Sequence, residues 1–244
     1  MMKVCISQWI GKRDKQEDSY AVRYLPEGVL FLVCDGMGGH QCGEIASRVA
    51  ADAFAEHFVS GEGDTPLRLR AALDTANEAV GNAFEEDGVY GGTTLTAAYV
   101  SGGVLWWVSV GDSPLLVWRN KHLLRLNADH SLRSEYMEYV KQGVMTYESA
   151  AALGHFLSSA LTGGEMKLVD APATPFPLLP GDRIVLASDG ADDILLPFVA
   201  PPSLGELFCE GGEPPLATRV VQACIALGDA RADNTTVLTL DWLS

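Results

Sequence analysis

Cysteine is scarce in this sequence, and no two cysteines stand close together. The 244 residues contain five of them, Cys5, Cys34, Cys42, Cys209 and Cys224. Their number is odd and no CxxC pair occurs, so neither a disulfide framework nor a zinc site built from thiolates is indicated. We therefore expect a protein of the reducing cytoplasm.

Long apolar runs are absent as well. The first residues, MMKVCISQWIGKRDKQED, reach charged side chains after only a few apolar ones. They differ in this from the core of a signal peptide and from a membrane span of about 20 apolar residues. Internal repeats and low-complexity linkers are also missing. We expect no membrane attachment, and one domain that covers residues 1–244.

Positive charge is in short supply. Lysine and arginine number 17 against 32 aspartates and glutamates, which gives a formal net charge of −15. Nucleic acids and anionic membranes are bound through lysine and arginine, so both are disfavoured as partners. Much of the acidic excess can serve solubility alone.

What is present is the composition of a globular protein, with 48% hydrophobic and 20% charged residues. Strands and helices are predicted from apolar runs and from helical spacing of apolar residues. The predicted strands are 3–10, 29–34, 183–188 and 235–243, the predicted helices are 43–59, 66–84 and 216–228, and 91–127 is predicted to be an antiparallel meander. Such blocks favour an α+β fold with antiparallel sheets covered by helices.

Four aspartates share one local setting. Asp35, Asp112, Asp189 and Asp233 each adjoin an apolar strand and stand next to glycine or asparagine. One such aspartate is often only a turn former. If the strand ends converge, however, carboxylates about 4 Å apart repel by about 4 kcal/mol per pair at an effective dielectric of about 20, so they demand cations or protonation. Oxygen ligands of this kind suit Mg²⁺ or Mn²⁺ better than zinc.

A series of short segments resembles, in order, the motifs of the PP2C or PPM family of metal-dependent phosphatases. The segments cover nearly the whole chain and are RDKQED (13–18), DGMGGH (35–40), GGTT (91–94), GDS (111–113), DHS (129–131), SDG (188–190) and ADN (232–234). The resemblance implies an α/β/β/α sandwich, in which two antiparallel sheets pack face to face between helices. It also implies a binuclear Mn²⁺ or Mg²⁺ centre at one end of the sandwich.

The resemblance assigns ligands to that centre. Asp35 is implied to bridge the two ions, with the backbone carbonyl of Gly36 also contributing. Asp189 and Asp233 are implied to complete the shell of the first ion.

Further positions follow from the same resemblance. Glu17 and Asp18 are implied to hold metal-bound waters, and Arg13 matches the arginine that binds the substrate phosphate. Asp112 matches an aspartate that, in bacterial members, joins Asp189 at a third, weaker metal site.

This arrangement suits the hydrolysis of phosphate monoesters, whose uncatalysed rate is so low that acceleration of up to about 10²¹-fold is needed. Two ions about 3.5 to 4 Å apart can lower the pKa of a bridging water and orient its attack. The guanidinium of Arg13 would add a planar fork of donors for the phosphate. The resemblance thus implies a protein serine/threonine phosphatase, which we expect to act as a monomer on phosphorylated proteins and to oppose a bacterial-type serine/threonine kinase.

The leaving oxygen benefits from a proton donor, yet no histidine directly follows Asp35 and Gly36. We interpret His40 as a loop residue or as a residue behind the metal ligands, and not as the acid, for which a metal-bound water can serve instead. His130 we interpret as a structural residue beside the meander. Residues 131–164, called here the flap segment, occupy the place of the mobile flap that influences substrate choice in the family. Its end, GHFLSSALTGG, departs from the family pattern, and so do Gln16, Pro114 and Ala191. These departures concern specificity more than catalysis.

Two alternatives stay open at the level of sequence. A pseudophosphatase would keep the fold without the chemistry, although degenerate members usually lose metal aspartates that are retained here. A regulatory phosphatase that acts on one phosphoserine in an anti-anti-sigma-type partner would share the chemistry and differ only in substrate.

Overall fold

The computed structural model describes residues 2–38, 42–85, 90–146, 149–150, 153, 156–196, 204–209 and 213–243. The strands within these ranges are β1 (Val4–Trp9), β2 (Asp18–Leu25), β3 (Gly28–Met37), β4 (Gly92–Thr93), β5 (Leu95–Ser101), β6 (Val104–Val110), β7 (Leu115–Arg119), β8 (His122–Arg125), β9 (Phe176–Pro177), β10 (Asp182–Ala187) and β11 (Thr235–Trp242). The helices are α1 (Cys42–Ser60), α2 (Thr65–Phe84), α3 (Arg133–Lys141), α4 (Asp192–Leu195), α5 (Leu204–Leu207) and α6 (Leu216–Leu227).

The strands form two antiparallel sheets. Sheet I has the order β1-β11-β10-β7-β8, and sheet II has the order β2-β3-β5-β6-β9 with β4 attached to β3. The first and last long strands of the chain are neighbours in sheet I, where Val4 pairs with Leu240. The ends of the chain therefore meet in the same sheet, and segments distant in sequence approach one another there.

Side chains of β3 show how the layers are built. Val29, Phe31 and Val33 face the apolar layer between the two sheets, together with Ile184 and Leu238 of sheet I. The alternate residues of β3 face α1 and α2 on the outer side of sheet II. Since side chains alternate across a strand, a fully apolar run such as β3 must be covered on both faces.

Helices cover the outer face of each sheet. Asp64 caps α2 by accepting a hydrogen bond from the Leu67 amide at 3.1 Å, as its position before Pro66 predicts. On the other side, Val220 and Cys224 of α6 pack against sheet I. The predicted α/β/β/α sandwich is confirmed. No helix in the described part of the chain is long and apolar enough to cross a membrane.

The predicted meander 91–127 is wrong in one respect. β5 and β6 pair in sheet II, whereas β7 and β8 pair in sheet I. The GDSP turn between them, 111–114, carries the chain across the sandwich. Apolar strands separated by short turns look alike in sequence whether they stay in one sheet or change sheet, so the pattern could not reveal the crossing. Strand β2 was not predicted either.

Asn77 of α2 holds the end of the flap segment. Its side-chain nitrogen donates to the carbonyl of Gly164 at 2.8 Å, and its side-chain oxygen accepts from the amides of Thr162 and Gly163 at 3.1 and 3.0 Å. Asn77 is only 8% exposed, so these backbone groups have little access to water as a substitute.

We expect Asn77→Ala to lower the free energy of unfolding by about 3 kcal/mol, because buried backbone donors and an acceptor lose their partner. Thermal or urea unfolding monitored by circular dichroism measures this change. Asn82→Ala, at an exposed position of the same helix, is the matched control and should change stability by less than about 0.5 kcal/mol. Equal stability of the two variants would contradict the anchoring role of Asn77.

Candidate active site

β3 carries Asp35 out of the interior. The strand is buried as far as Cys34, and Asp35 is the first partly exposed residue. Its amide donates to the Thr94 hydroxyl at 3.0 Å. Its carbonyl accepts from the Thr94 amide at 2.9 Å and from the Thr93 hydroxyl at 3.0 Å. The GGTT segment thus fixes the backbone from which the Asp35 carboxyl projects.

Asp189 reaches the same place from the other sheet. It follows β10 and begins a short 3₁₀ turn, and it lines one cavity together with Asp35. Burial raises the pKa of Asp35 well above its ordinary range, and repulsion from Asp189, Asp18 and Asp112 adds to this. Burial and repulsion from Asp233 also raise the pKa of Asp189. Both groups can be charged together only beside a cation.

Asp112 lies at the crossing between the sheets. Gly111 before it has a φ of +105°, a conformation that favours glycine. Arg125 donates to the Asp112 carbonyl at 2.7 Å and is paired with the Asp129 carboxylate at 2.9 Å. Burial, followed by repulsion from Asp189, raises the pKa of Asp112 to about 8. Asp112 and Asp189 therefore repel one another in the same cavity.

Asp18 lies directly opposite Asp35 in the register of β2 and β3, but behind the cavity. One carboxyl oxygen accepts from the hydroxyls of Ser188 and Thr236, both at 2.7 Å. The other oxygen is buried and has no hydrogen-bond partner among the described residues. Burial raises the pKa of Asp18 to about 7. The side chain lines a separate cavity of about 220 Å³ beside Asp52.

Arg13 and Asp233 form an ion pair at 2.5 Å at the rim, where both side chains are more than a third exposed. Behind them, Asn234 accepts a hydrogen bond from the Glu17 amide at 2.7 Å and donates to the carbonyls of Ile10 and Lys15 at 2.8 and 2.9 Å. The loop that carries Arg13 and Glu17 is therefore attached to the start of β11.

A cavity of about 520 Å³ brings these groups together. It is lined by Arg13, Glu17, Asp35, Gly36, Met37, Gly38, Thr94, Asp112, Phe156, Leu157, Asp189, Asp233 and Asn234. Every predicted site residue except Asp18 is among them. Gly36 is confined from behind, because a Cβ there would lie 2.2 Å from the carbonyl oxygen of Gly43.

The donor set of the cavity consists of oxygens, which suits a hard divalent ion. In the described residues, no three His, Cys, Asp or Glu side chains are already close enough to hold an ion by themselves. A centre here would therefore rest on Asp35 and Asp189, with Asp233, backbone oxygen and water beside them. The raised pKa values of Asp35, Asp112 and Asp189, which all line this cavity, fit a site that binds cations.

Sequence reasoning missed several residues that build the site. Asn234 belongs to the ADN segment, but the sequence assigned it no role. The same holds for Thr94 of the GGTT segment, whose hydroxyl is hydrogen-bonded to the Ser113 hydroxyl at 2.8 Å. An ion pair between Arg133 and Asp192 was not foreseen at all. Asn234 and Thr94 stand within recognised motifs, so their uncharged side chains could have been assigned a role in holding the backbone. Nothing in the sequence marks the ion pair of Arg133 with Asp192.

No histidine among the described residues lines the cavity. His130 is 5% exposed, and its ring accepts a hydrogen bond from the Gly111 amide at 3.2 Å. Burial lowers its pKa, in keeping with the predicted structural role. His40 lies outside the described residues.

Known proteins share this sequence pattern and fold. The chain is 32% identical over 223 residues to the serine/threonine protein phosphatase PstP of Mycobacterium tuberculosis, covering 87% of this chain and 40% of that relative's length. It is 26% identical to the protein phosphatase PhpP of Streptococcus pneumoniae, covering 80% of each. The solved catalytic domain of PstP in complex with two manganese ions superposes with a TM-score of 0.74 at 30% identity, covering 100% of this chain and 99% of that one.

A family model adds direct evidence. Residues 9–220 match the model described as protein phosphatase 2C. The match covers most of the chain and includes each of the site residues from Arg13 to Asp189. The chain therefore belongs to the protein phosphatase 2C family.

Proposed function

We propose that this chain is a protein serine/threonine phosphatase that hydrolyses phosphoserine and phosphothreonine monoesters with the help of two Mn²⁺ or Mg²⁺ ions. The observation that carries this proposal is the convergence of Asp35 and Asp189, which come from different sheets and line one cavity. Carboxylates that repel one another destabilise the folded protein, so their convergence points to cation binding.

The chain's own residues have distinct tasks in this proposal. Asp35 and Asp189 would hold the ions, with Asp233 and the Gly36 carbonyl beside them and Glu17 bound through water. Bound ions would supply an acidified water and neutralise the phosphoryl oxygens. Arg13, oriented by Asp233, would bind the substrate phosphate through its guanidinium fork.

The proposed setting is a bacterial cell, in which a cognate serine/threonine kinase phosphorylates the protein substrates. Cytoplasmic location is supported by the cysteines, all five of which are free thiols. We further propose that residues 1–244 act as one domain and as a monomer, with the flap segment beside the cavity through Phe156 and Leu157.

The experiment that tests the proposal is hydrolysis of a phosphothreonine peptide and of p-nitrophenyl phosphate by the purified protein. Chelation by EDTA should lower both rates by at least about 100-fold, and added Mn²⁺ should restore them, because the water and the phosphate both depend on the ions. If the metal-loaded protein turned over no faster than Asp233→Asn, the proposal would be wrong and the pseudophosphatase alternative would stand. Calorimetric titration with Mn²⁺ checks separately whether ions bind.

A further inference from the structure

An ion pair joins the flap segment to the active site. Arg133, the first residue of α3, donates to the carboxylate of Asp192 at 2.5 Å. Asp192 begins α4 directly after the turn that holds Asp189. The two side chains are 28% and 12% exposed, so solvent ions screen this pair less than a surface pair.

The guanidinium of Arg133 lies in the field of several carboxylates. Although burial lowers it, the pKa of Arg133 is raised overall by Asp192, Asp129 and Asp112. In turn, Arg133 opposes the rise that burial and Asp189 cause in the pKa of Asp112. Asp189 lies between two cavities. It lines the active-site cavity, and it also lines a cavity of about 200 Å³ together with Arg133 and Asp192.

Arg125, another cation near Asp112, is held by different partners. Arg125 is bound to the Asp129 carboxylate at 2.9 Å and to the backbone carbonyl of Asp112 at 2.7 Å. Arg133 is therefore the cation best placed to compensate the carboxylates of Asp112, Asp189 and Asp192, which we call the lateral acidic group.

We propose that Arg133 is a built-in cation that neutralises the lateral acidic group and excludes a further divalent ion from it. This inference rests on the proposed function, in which two ions occupy the main cavity. The resemblance implied a third ion at Asp112 and Asp189, but the guanidinium already compensates that group. A divalent ion at this group would be repelled by the guanidinium, which the ion pair with Asp192 holds beside it.

The test is the number of Mn²⁺ ions bound per chain, measured by isothermal titration calorimetry and by the loss of the free Mn²⁺ signal in electron paramagnetic resonance. Wild type should bind two ions. Arg133→Gln should bind one more, at least ten-fold tighter than any extra binding by wild type. Arg70→Gln, which removes an exposed arginine paired with Asp74 on α2, is the matched control and should bind two.

The outcomes separate this inference from the proposed function. If wild type binds no Mn²⁺ while Arg133→Gln binds one ion, the proposed function fails and the inference holds. Equal numbers of ions in wild type and Arg133→Gln would overturn the inference, whatever the activity of either protein. Should Arg133→Gln fail to fold, a saturable third ion on wild type alone would overturn it, and saturation at two would support it.

Discussion

Asp35→Asn is expected to abolish metal-dependent hydrolysis while it stabilises the metal-free protein. Activity should fall by at least about 10³-fold, because the carboxylate implied to bridge the ions is lost from the centre of the cavity. Without metal, the same carboxylate is repelled by Asp189, Asp18 and Asp112. Replacing it with a neutral amide removes this repulsion, which is expected to add about 1 kcal/mol, or about 3 °C in Tm.

Activity assays and thermal unfolding, each in EDTA and in Mn²⁺, measure both halves of this prediction. Mn²⁺ should raise the Tm of wild type and leave that of Asp35→Asn nearly unchanged, because ligand binding stabilises only a protein that can bind. Asp182→Asn is the matched control. That carboxylate is 2% exposed and bound to Arg119 at 2.8 and 2.5 Å, so its loss should cost about 3 kcal/mol with or without Mn²⁺.

The decisive result is that, in EDTA, Asp35→Asn raises the Tm whereas Asp182→Asn lowers it. A drop in Tm for Asp35→Asn similar to that for Asp182→Asn would mean that Asp35 serves the fold and not a cation site. Retained activity in Asp35→Asn would contradict its catalytic role independently of stability.

The sequence was informative about where the acidic residues stand along the strands. The apolar runs 29–34 and 183–188 are each followed by Asp-Gly, so Asp35 and Asp189 were predictably at strand ends. That these ends belong to different sheets and meet in one cavity was known only through the motif order, because periodicity says nothing about which strands become neighbours. For the same reason, the sequence did not reveal that the chain passes from sheet II to sheet I at Gly111.

The orientation of the Asp18 side chain and the ion pair of Arg133 with Asp192 could not be predicted from the sequence, for a related reason. Asp18 was predictably close to Asp35, yet its direction is set by hydroxyls of Ser188 and Thr236, far away along the chain. Arg133 and Asp192 are 59 residues apart, and no local pattern connects them. Contacts of this kind depend on how the two sheets are packed, which only the assembled fold specifies.

Asn234→Ala is expected to lower both stability and activity. Asn234 is 4% exposed, and its side chain makes hydrogen bonds to the backbone of Ile10, Lys15 and Glu17. Its loss should lower the free energy of unfolding by about 3 kcal/mol. The freed loop also carries Arg13 and Glu17, and displacement of such groups by about 1 Å is expected to lower kcat/KM by about 100-fold.

Asn77→Ala separates these two effects. Both asparagines are buried and each makes hydrogen bonds to the backbone of a neighbouring loop, but Asn77 binds residues 162–164, which do not line the active-site cavity. Measured well below either Tm, Asn77→Ala should hydrolyse p-nitrophenyl phosphate within about twofold of wild type, since its reacting groups are unmoved. If Asn234→Ala were equally active, the loop attachment would matter for stability alone. A KM that rises more than kcat falls would identify Arg13, the phosphate-binding group, as the residue that the missing bonds had positioned.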